Sequence, residues 1–236
     1  MAGYDPADPS SLQLAVPDFN GRLGEAINGL KIGVDPSFNS HADPEVQAAL
    51  EACGRILAGL GAELIEIDAS GIEEGAAHWF SLTAIEAARH HSATWPARAG
   101  DYGPVFTSLL EHAGTVSAAA ASEAYTARGR VAQVMRKALS RADLMLCPSL
   151  GAPTPRVEDF PPQLVLPADA VPPIVLFQAP FNFSGNPTLS MPMGFADNGM
   201  PLSLQLVARH GEEDRLIQVG DAYEQATEWH KRNPEL

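Results

Sequence analysis

The stretch "KIGVDPSFNSHADPEVQAALEACGRILAGLGAELIEID", residues 31–68, changes its hydrophobic period twice, and those changes decide the fold class. It opens on a short β-branched run, "KIGVD", suited to a strand. Asp43 then stands where a helix cap is expected, with Pro44 at the first helical position and Glu45 at the positive end of the helix dipole. Val46, Ala49, Leu50, Cys53, Ile56, Leu57 and Leu60 follow at helical spacing and form one apolar stripe that ends near Gly59 and Gly61. "AELIEID" reads as a second strand. Strand, helix and strand in succession make a βαβ unit, spanning 30–69, whose crossover is expected to be right-handed and whose two strands are expected to be parallel.

Outward from this unit the chain keeps an α/β character. Residues 70–140 are Ala-rich and read as helices, broken at "WPARAGDYGP" and "HAGTVS" by Pro and Gly. "ADLMLCPS" is apolar on both faces, as a buried central strand is, and Pro148 ends its ladder. The Pro-rich run from Cys147 to Ile174 is expected to be an ordered loop over the sheet edge. "TLSMPMGF" and "PLSLQLV" flank Asp197, Asn198 and Gly199, where Asn-Gly is expected to supply the positive-φ positions of a hairpin turn. A last helix starts at Glu212, Glu213 and Asp214. It turns Leu216, Val219, Tyr223 and Ala226 inward, and His230, Lys231 and Arg232 complement its negative end. Residues 1–29, rich in Pro, Asp, Ser and Gly, read as a loop wrapping a surface. The expectation is one domain over 1–236, α/β, with a mixed sheet, helices on both faces and strands, loop and a final helix in 141–236.

The 236 residues, 45% hydrophobic, are enough for a substantial core. The longest apolar runs are far short of the roughly 20 residues that cross a bilayer. No basic segment followed by an apolar one opens the sequence, which suits a soluble cytoplasmic protein. Fifteen Lys and Arg against 29 Asp and Glu give a net charge of −14, which repels a phosphate backbone and argues against direct nucleic-acid binding. Cys53 and Cys147 are too few for a disulfide framework and fit a reducing compartment.

The candidate reactive residues have plainer readings beside the catalytic ones. A serine nucleophile needs a base, no GxSxG elbow occurs, and the lysines are only Lys31, Lys137 and Lys231. Ser184 and Ser190 therefore read as frame residues around the Asn186-Pro187 bend, with Asn182 and Asn186 bridging backbone groups near Gly185. Cys147 sits at a strand end where ligands collect in open α/β sheets, but no His or Asn adjoins it to activate a thiolate. Glu86, His90, His91, His78 and His112 lack any zinc-type spacing, so no metal site is assigned.

The run "FNFSGNPTLSMPMGF" with "GMPLSLQLVARHGEEDRLIQVGDAYEQATEWHKRNP" resembles the carboxyl-terminal part of the amidase signature family, which includes linear amidases and the A chains of glutamyl-tRNA amidotransferases. "GLKIGVDPSF", "ADLMLCPSLGAPTP" and "MAGYDPADPSS" resemble earlier segments of that family in the same order. The resemblance implies an α/β/α fold and hydrolysis of a small amide by a Ser, cis-Ser, Lys triad, with no metal and no organic cofactor. It also implies that the triad lies ahead of the "AGYDP" element, so no catalytic position carries over to any residue here. What carries over is a wall of the acyl pocket. The segment "VLFQAPFNFSGNP", read as a loop, offers Phe177, Gln178, Phe181 and Asn182 as its lining, and Cys147 and Ser149 fall where the family often has threonines.

The expectation is thus the carboxyl-terminal portion of an amidase, a fragment or one piece of a split enzyme. Its partners would be a small amide and the missing amino-terminal half, with room for self-association, and the chain alone would be inactive. A sheet cut through its middle is also expected to leave an apolar surface uncovered. The alternative is a non-catalytic α/β binding or interaction module that kept the frame and lost the engine.

Overall fold

The computed structural model describes residues 3–8, 11, 13, 15–159 and 173–232. Five strands, β1 (Lys31–Val34), β2 (Glu63–Glu66), β3 (Leu144–Pro148), β4 (Thr188–Phe195) and β5 (Pro201–Ala208), form one sheet in the order β2-β1-β3-β5-β4. β1 runs parallel to both β2 and β3, whereas β3 pairs antiparallel with β5 and β5 with β4, so the sheet is mixed. β3 is buried along its whole length, which explains why its sequence carries no polar residue on either face. The short helix α1 (Pro36–Asn39) and the longer α2 (Pro44–Gly59) follow β1. Beyond β2 come α3 (Glu74–His90), α4 (Pro104–Ala113) and α5 (Ala118–Ala138), then α6 (Pro173–Leu176), α7 (Ala179–Ser184) and α8 (Glu213–Gln225).

Register assigns the helices to faces. Leu64, Ile32, Leu144 and Ala208 lie side by side, as do Leu146, Leu206 and Leu189. This face receives α2, where Gly54 approaches Leu64, and α8, where Gly220 approaches Leu189 and Met191. The buried stripe of α2, Val46, Leu50, Cys53 and Leu57, meets α8 through a hydrogen bond between Cys53 Sγ and Tyr223 Oη at 3.1 Å. On the opposite face α3, α5 and α7 pack against one another. There Arg128 ties α5 to Glu86 of α3 and to the Phe183 carbonyl of α7, both at 3.3 Å. The first segment crosses the surface to α8, with Arg22 Nε donating to Asp214 at 2.6 Å and the Gly24 N–H to Asp221 at 2.8 Å.

Several local expectations are corrected. Asp43 occupies the cap position of α2 but its side chain makes no cap hydrogen bond; the capping carboxylate belongs to Asp35, which accepts from the Phe38 N–H of α1 at 3.0 Å and from the Ala69 N–H at 2.7 Å. Glu45 accepts from the Asp197 N–H in the β4–β5 turn as well as facing the α2 dipole. In that turn only Gly199 has positive φ, at 80°, and Asn198 instead accepts from the Met200 N–H. The loop is therefore a three-residue hairpin closed by a left-handed glycine, not a two-residue Asn-Gly turn. α8 ends at Gln225, leaving Ala226 exposed, and His230 and Lys231 lie in a separate 3₁₀ turn, Trp229–Lys231. "VLFQAPFNFS" is two short helices instead of a loop, with Pro180 in the first turn of α7, where its missing N–H costs nothing. Of the Pro-rich run, residues 160–172 lie outside the described residues.

The seating of α7 depends on one close approach: a Cβ on Gly75 of α3 would stand 2.8 Å from the Pro180 Cα. Gly75→Ala should push the two helices apart and lower stability by about 1–3 kcal/mol. Gly129→Ala, on the open surface of α5, should raise stability by about 1 kcal/mol because alanine holds a helix better. Urea denaturation of the two variants should therefore give shifts of opposite sign.

Candidate functional site

Phe177 is held near the sheet end where β1 and β3 finish and β5 begins, and the segment runs from there to the opposite end, where Asn186 and Pro187 meet Ala208, the last residue of β5. Gln205 of β5, only 5% exposed, donates from Nε2 to the Phe177 carbonyl at 3.0 Å and lies 3.6 Å from Cys147 Sγ. The Phe177 ring packs on Phe38 of α1 with centroids 4.8 Å apart. Phe177 and Phe181 are buried, whereas Gln178 and Asn182, one helical turn apart, are exposed. The four candidate lining residues, of which Phe177 and Gln178 precede α7, thus divide into a buried aromatic pair and an exposed polar pair. Asn182 also borders a small cavity of about 80 Å³ with Trp79, Thr83, Glu86 and Arg128. The sequence gives no functional signal at Gln205, which reads as the polar side of an alternating strand.

The serines belong to the frame. Ser184 is buried, its Oγ donating to the Phe181 carbonyl at 3.4 Å and accepting from the Asn186 N–H at 3.4 Å. Asn186 Nδ2 donates to the Ala208 carbonyl at 2.7 Å and so ties the bend to β5. Ser149 Oγ donates to the Leu204 carbonyl at 2.8 Å and lies 3.0 Å from Ser190 Oγ. Two of the lysines are engaged elsewhere, Lys137 with Asp68 at 3.2 Å and Lys231 with Glu228 at 2.9 Å.

Cys147 is fully buried, and desolvation pushes its thiol up to about 12, with the Gln205 contact pulling weakly the other way. Cys53 is pushed up to about 11, again chiefly by burial. Both therefore stay protonated at neutral pH and are poor nucleophiles. Among the described residues one group, Glu74, His78 and Glu123, brings donor atoms within 4.8 Å of one another. A cation is already there: Arg130 donates to both oxygens of Glu74, at 2.7–3.1 Å, and to Glu123 at 2.6 Å. That guanidinium holds the Glu74 carboxyl below its ordinary value and accounts for the acidic pair.

A sequence profile described as Amidase matches residues 1–217. The chain belongs to the Amidase family. An amidase of Pseudomonas putida is 33% identical over all of this amidase-family chain and 51% of its own length. The A chain of the glutamyl-tRNA(Gln) amidotransferase of Synechococcus sp. (strain RCC307) is 32% identical over all of the chain and 53% of its own length. The chain thus spans about half the length of these curated relatives. Among solved structures, 6-aminohexanoate cyclic dimer hydrolase superposes with a TM-score of 0.83 at 23% identity, covering 99% of this chain and 52% of the other. A bacterial aryl acylamidase of the amidase signature enzymes superposes at 0.79 with 23% identity over 97% of this chain and 50% of its own. The mixed sheet is therefore the amidase signature fold. No helix among the described residues is long and apolar enough to cross a membrane.

Iodoacetamide should leave both cysteines unmodified in the native chain and label both in urea. Stoichiometric labelling of Cys147 under native conditions, read by mass spectrometry, would restore the thiol mechanism.

Proposed function

We propose that these residues form the carboxyl-terminal half of an amidase, an enzyme that hydrolyses the C–N bond of a small amide to a carboxylic acid and ammonia or an amine. The match of the Amidase profile to residues 1–217 carries this reading, and relatives named for amide chemistry support it. Since the chain spans about half the length of those relatives, its partner in the reaction is the other half of the family's length, bearing the Ser, cis-Ser, Lys triad that the resemblance implies. Ser149, Ser184 and Ser190 support that division, because none of their hydrogen bonds among the described residues reaches a lysine.

The role left to this chain is a wall of the pocket. Phe177 and Phe181 give the segment its anchor, while Gln178, just ahead of α7, and Asn182, within it, are exposed and offer amide groups to a substrate. Hydrogen-bonding side chains on a rigid support position a substrate better than the same groups on a free loop. The tie from Gln205 to the Phe177 carbonyl is what makes this support rigid. Two free, buried cysteines suit a reducing, cytoplasmic setting, and the charge of −14 disfavours direct contact with nucleic acid.

Purified chain should release no ammonia from small amides. Mixed with the amino-terminal half of the Pseudomonas putida amidase, it should restore hydrolysis. In that mixture Gln178→Ala or Asn182→Ala should lower kcat/KM about tenfold without changing stability. Phe177→Ala should cost about 3–5 kcal/mol of stability instead. An inactive mixture of folded, associated halves would favour the non-catalytic module, and turnover by the chain alone would overturn the division of labour.

A further inference from the structure

The two edges of the sheet differ in kind. Among the described residues β2 lies at one end of the strand order and β4 at the other. β2 is four residues long, and Glu63 and Glu66 are exposed at its ends. Shortness and charge are what keep an edge from pairing. β4 has neither: it runs for eight residues, "TLSMPMGF", without a charged side chain.

Ladder geometry identifies the free backbone groups of β4. The Ala208 N–H donates to the Pro187 carbonyl at 3.0 Å, and in an antiparallel pair the bonded residues alternate. Leu189 and Met191 therefore turn their N–H and C=O groups to β5, while Thr188 and Ser190 turn theirs outward, together with the Pro192 carbonyl. The other side of β5 keeps the same phase: the Ser203 carbonyl accepts from the Ser149 N–H at 2.9 Å. Side chains agree with this assignment, since Thr188, Ser190 and Pro192 are exposed on the face opposite α8, and Leu189 and Met191 pack under Gly220 of α8. The free stretch is bounded. Pro192 has no N–H, the register slips between Pro192 and Gly194, and Phe195 is covered by Trp229, with ring centroids 6.1 Å apart, and by the Arg232 guanidinium, 3.8 Å from its ring centre. Thr188–Pro192 thus offers unpaired backbone for the length of an ordinary strand, about five residues.

Such an edge selects its occupant by chemistry. Outward N–H groups with carbonyls between them are satisfied in register by another extended backbone. A second copy of this chain is disfavoured, because each copy carries a net charge of −14. The curated relatives are about twice as long, so half of the family's length remains to be joined to this sheet. The position suits that half. Ser190 Oγ lies 3.0 Å from Ser149 Oγ, just past the end of β3, so a strand laid along β4 passes the sheet end that holds Phe177.

We infer that Thr188–Pro192 is the seam at which this chain takes a β-strand from the amino-terminal half of the amidase, which makes β4 an inner strand of a larger sheet. The inference rests on the proposed division of the enzyme, but it is read from backbone protection and not from turnover.

Amide hydrogen exchange of the whole chain, followed by NMR, tests the seam with the amino-terminal half of the Pseudomonas putida amidase as the probe. In the chain alone Thr188 and Ser190 should exchange freely. With the probe they should slow about tenfold or more, while Leu64 and Glu66, the outward amides of β2, stay unchanged. Ser190→Pro, which removes an outward N–H and no bond to β5, should weaken association about tenfold; Ser190→Ala, which keeps that N–H, should leave it unaltered. Associated halves that hydrolyse amides while Thr188 and Ser190 still exchange freely would overturn the seam and leave the amidase reading standing. Protection without hydrolysis would confirm the seam and remove the amidase reading. Folded halves that do not associate would overturn the inference, as would protection of Thr188 and Ser190 in the chain alone at high concentration, the sign of a second copy.

Discussion

The change of direction across β3 is the constraint from which the rest of the molecule follows. Its neighbour β1 runs parallel to it and its neighbour β5 antiparallel, so β3 joins a βαβ unit to a hairpin within one sheet. A strand in that place has a helical layer on each face and a strand on each side, and no side chain on it reaches water. "LMLCP" satisfies this with apolar residues and a thiol, whose burial is also what makes Cys147 inert. A charge introduced anywhere along it would be unpaired and desolvated.

The same constraint explains where polarity is tolerated inside. Of the six buried polar side chains among the described residues, four, Asp35, Asn39, Ser149 and Gln205, lie at the end of the sheet where β1 and β3 stop. Three are satisfied by backbone partners: Asp35 by two N–H groups, Ser149 by the Leu204 carbonyl and Gln205 by the Phe177 carbonyl. Each of those bonds ties a connection to the sheet, so the turns around the strand ends are fixed without apolar packing. Asn39 alone keeps an acceptor unserved among these four.

Much of this is legible in the sequence where one periodicity extends over many residues. The α2 stripe and the doubly apolar β3 each repeat a signal and their burial follows it, whereas the alternation in β5 breaks at Gln205, which is buried with its neighbours. What escapes is written in single residues. Asp35 and Asp43 each precede a proline, and which carboxylate caps a helix depends on where the chain folds back: Asp35 is held by Ala69, 34 residues away, a contact no local pattern announces. Asn198-Gly199 fits two hairpin geometries that differ in one φ angle. Val175 to Pro187 looks like a loop because two prolines and a glycine punctuate it, yet Pro180 falls in a first turn, where it is permitted.

The candidate pocket wall is legible only through resemblance, and the reason is physical. A lining residue is defined by what it faces, and Gln178 and Asn182 lie exposed at the cap and in the body of a helix seated by Gln205 and Gly75, residues 27 positions ahead and 103 behind Gln178. Neither looks functional: one is the polar member of an alternating strand, the other a glycine in an alanine-rich helix. Both act by letting α7 approach, Gln205 by pairing a carbonyl that would otherwise be buried without a donor, Gly75 by having no Cβ. Substituting either would alter the pocket wall without removing any group that touches a substrate, so the geometry of such a wall is encoded away from the residues that form it.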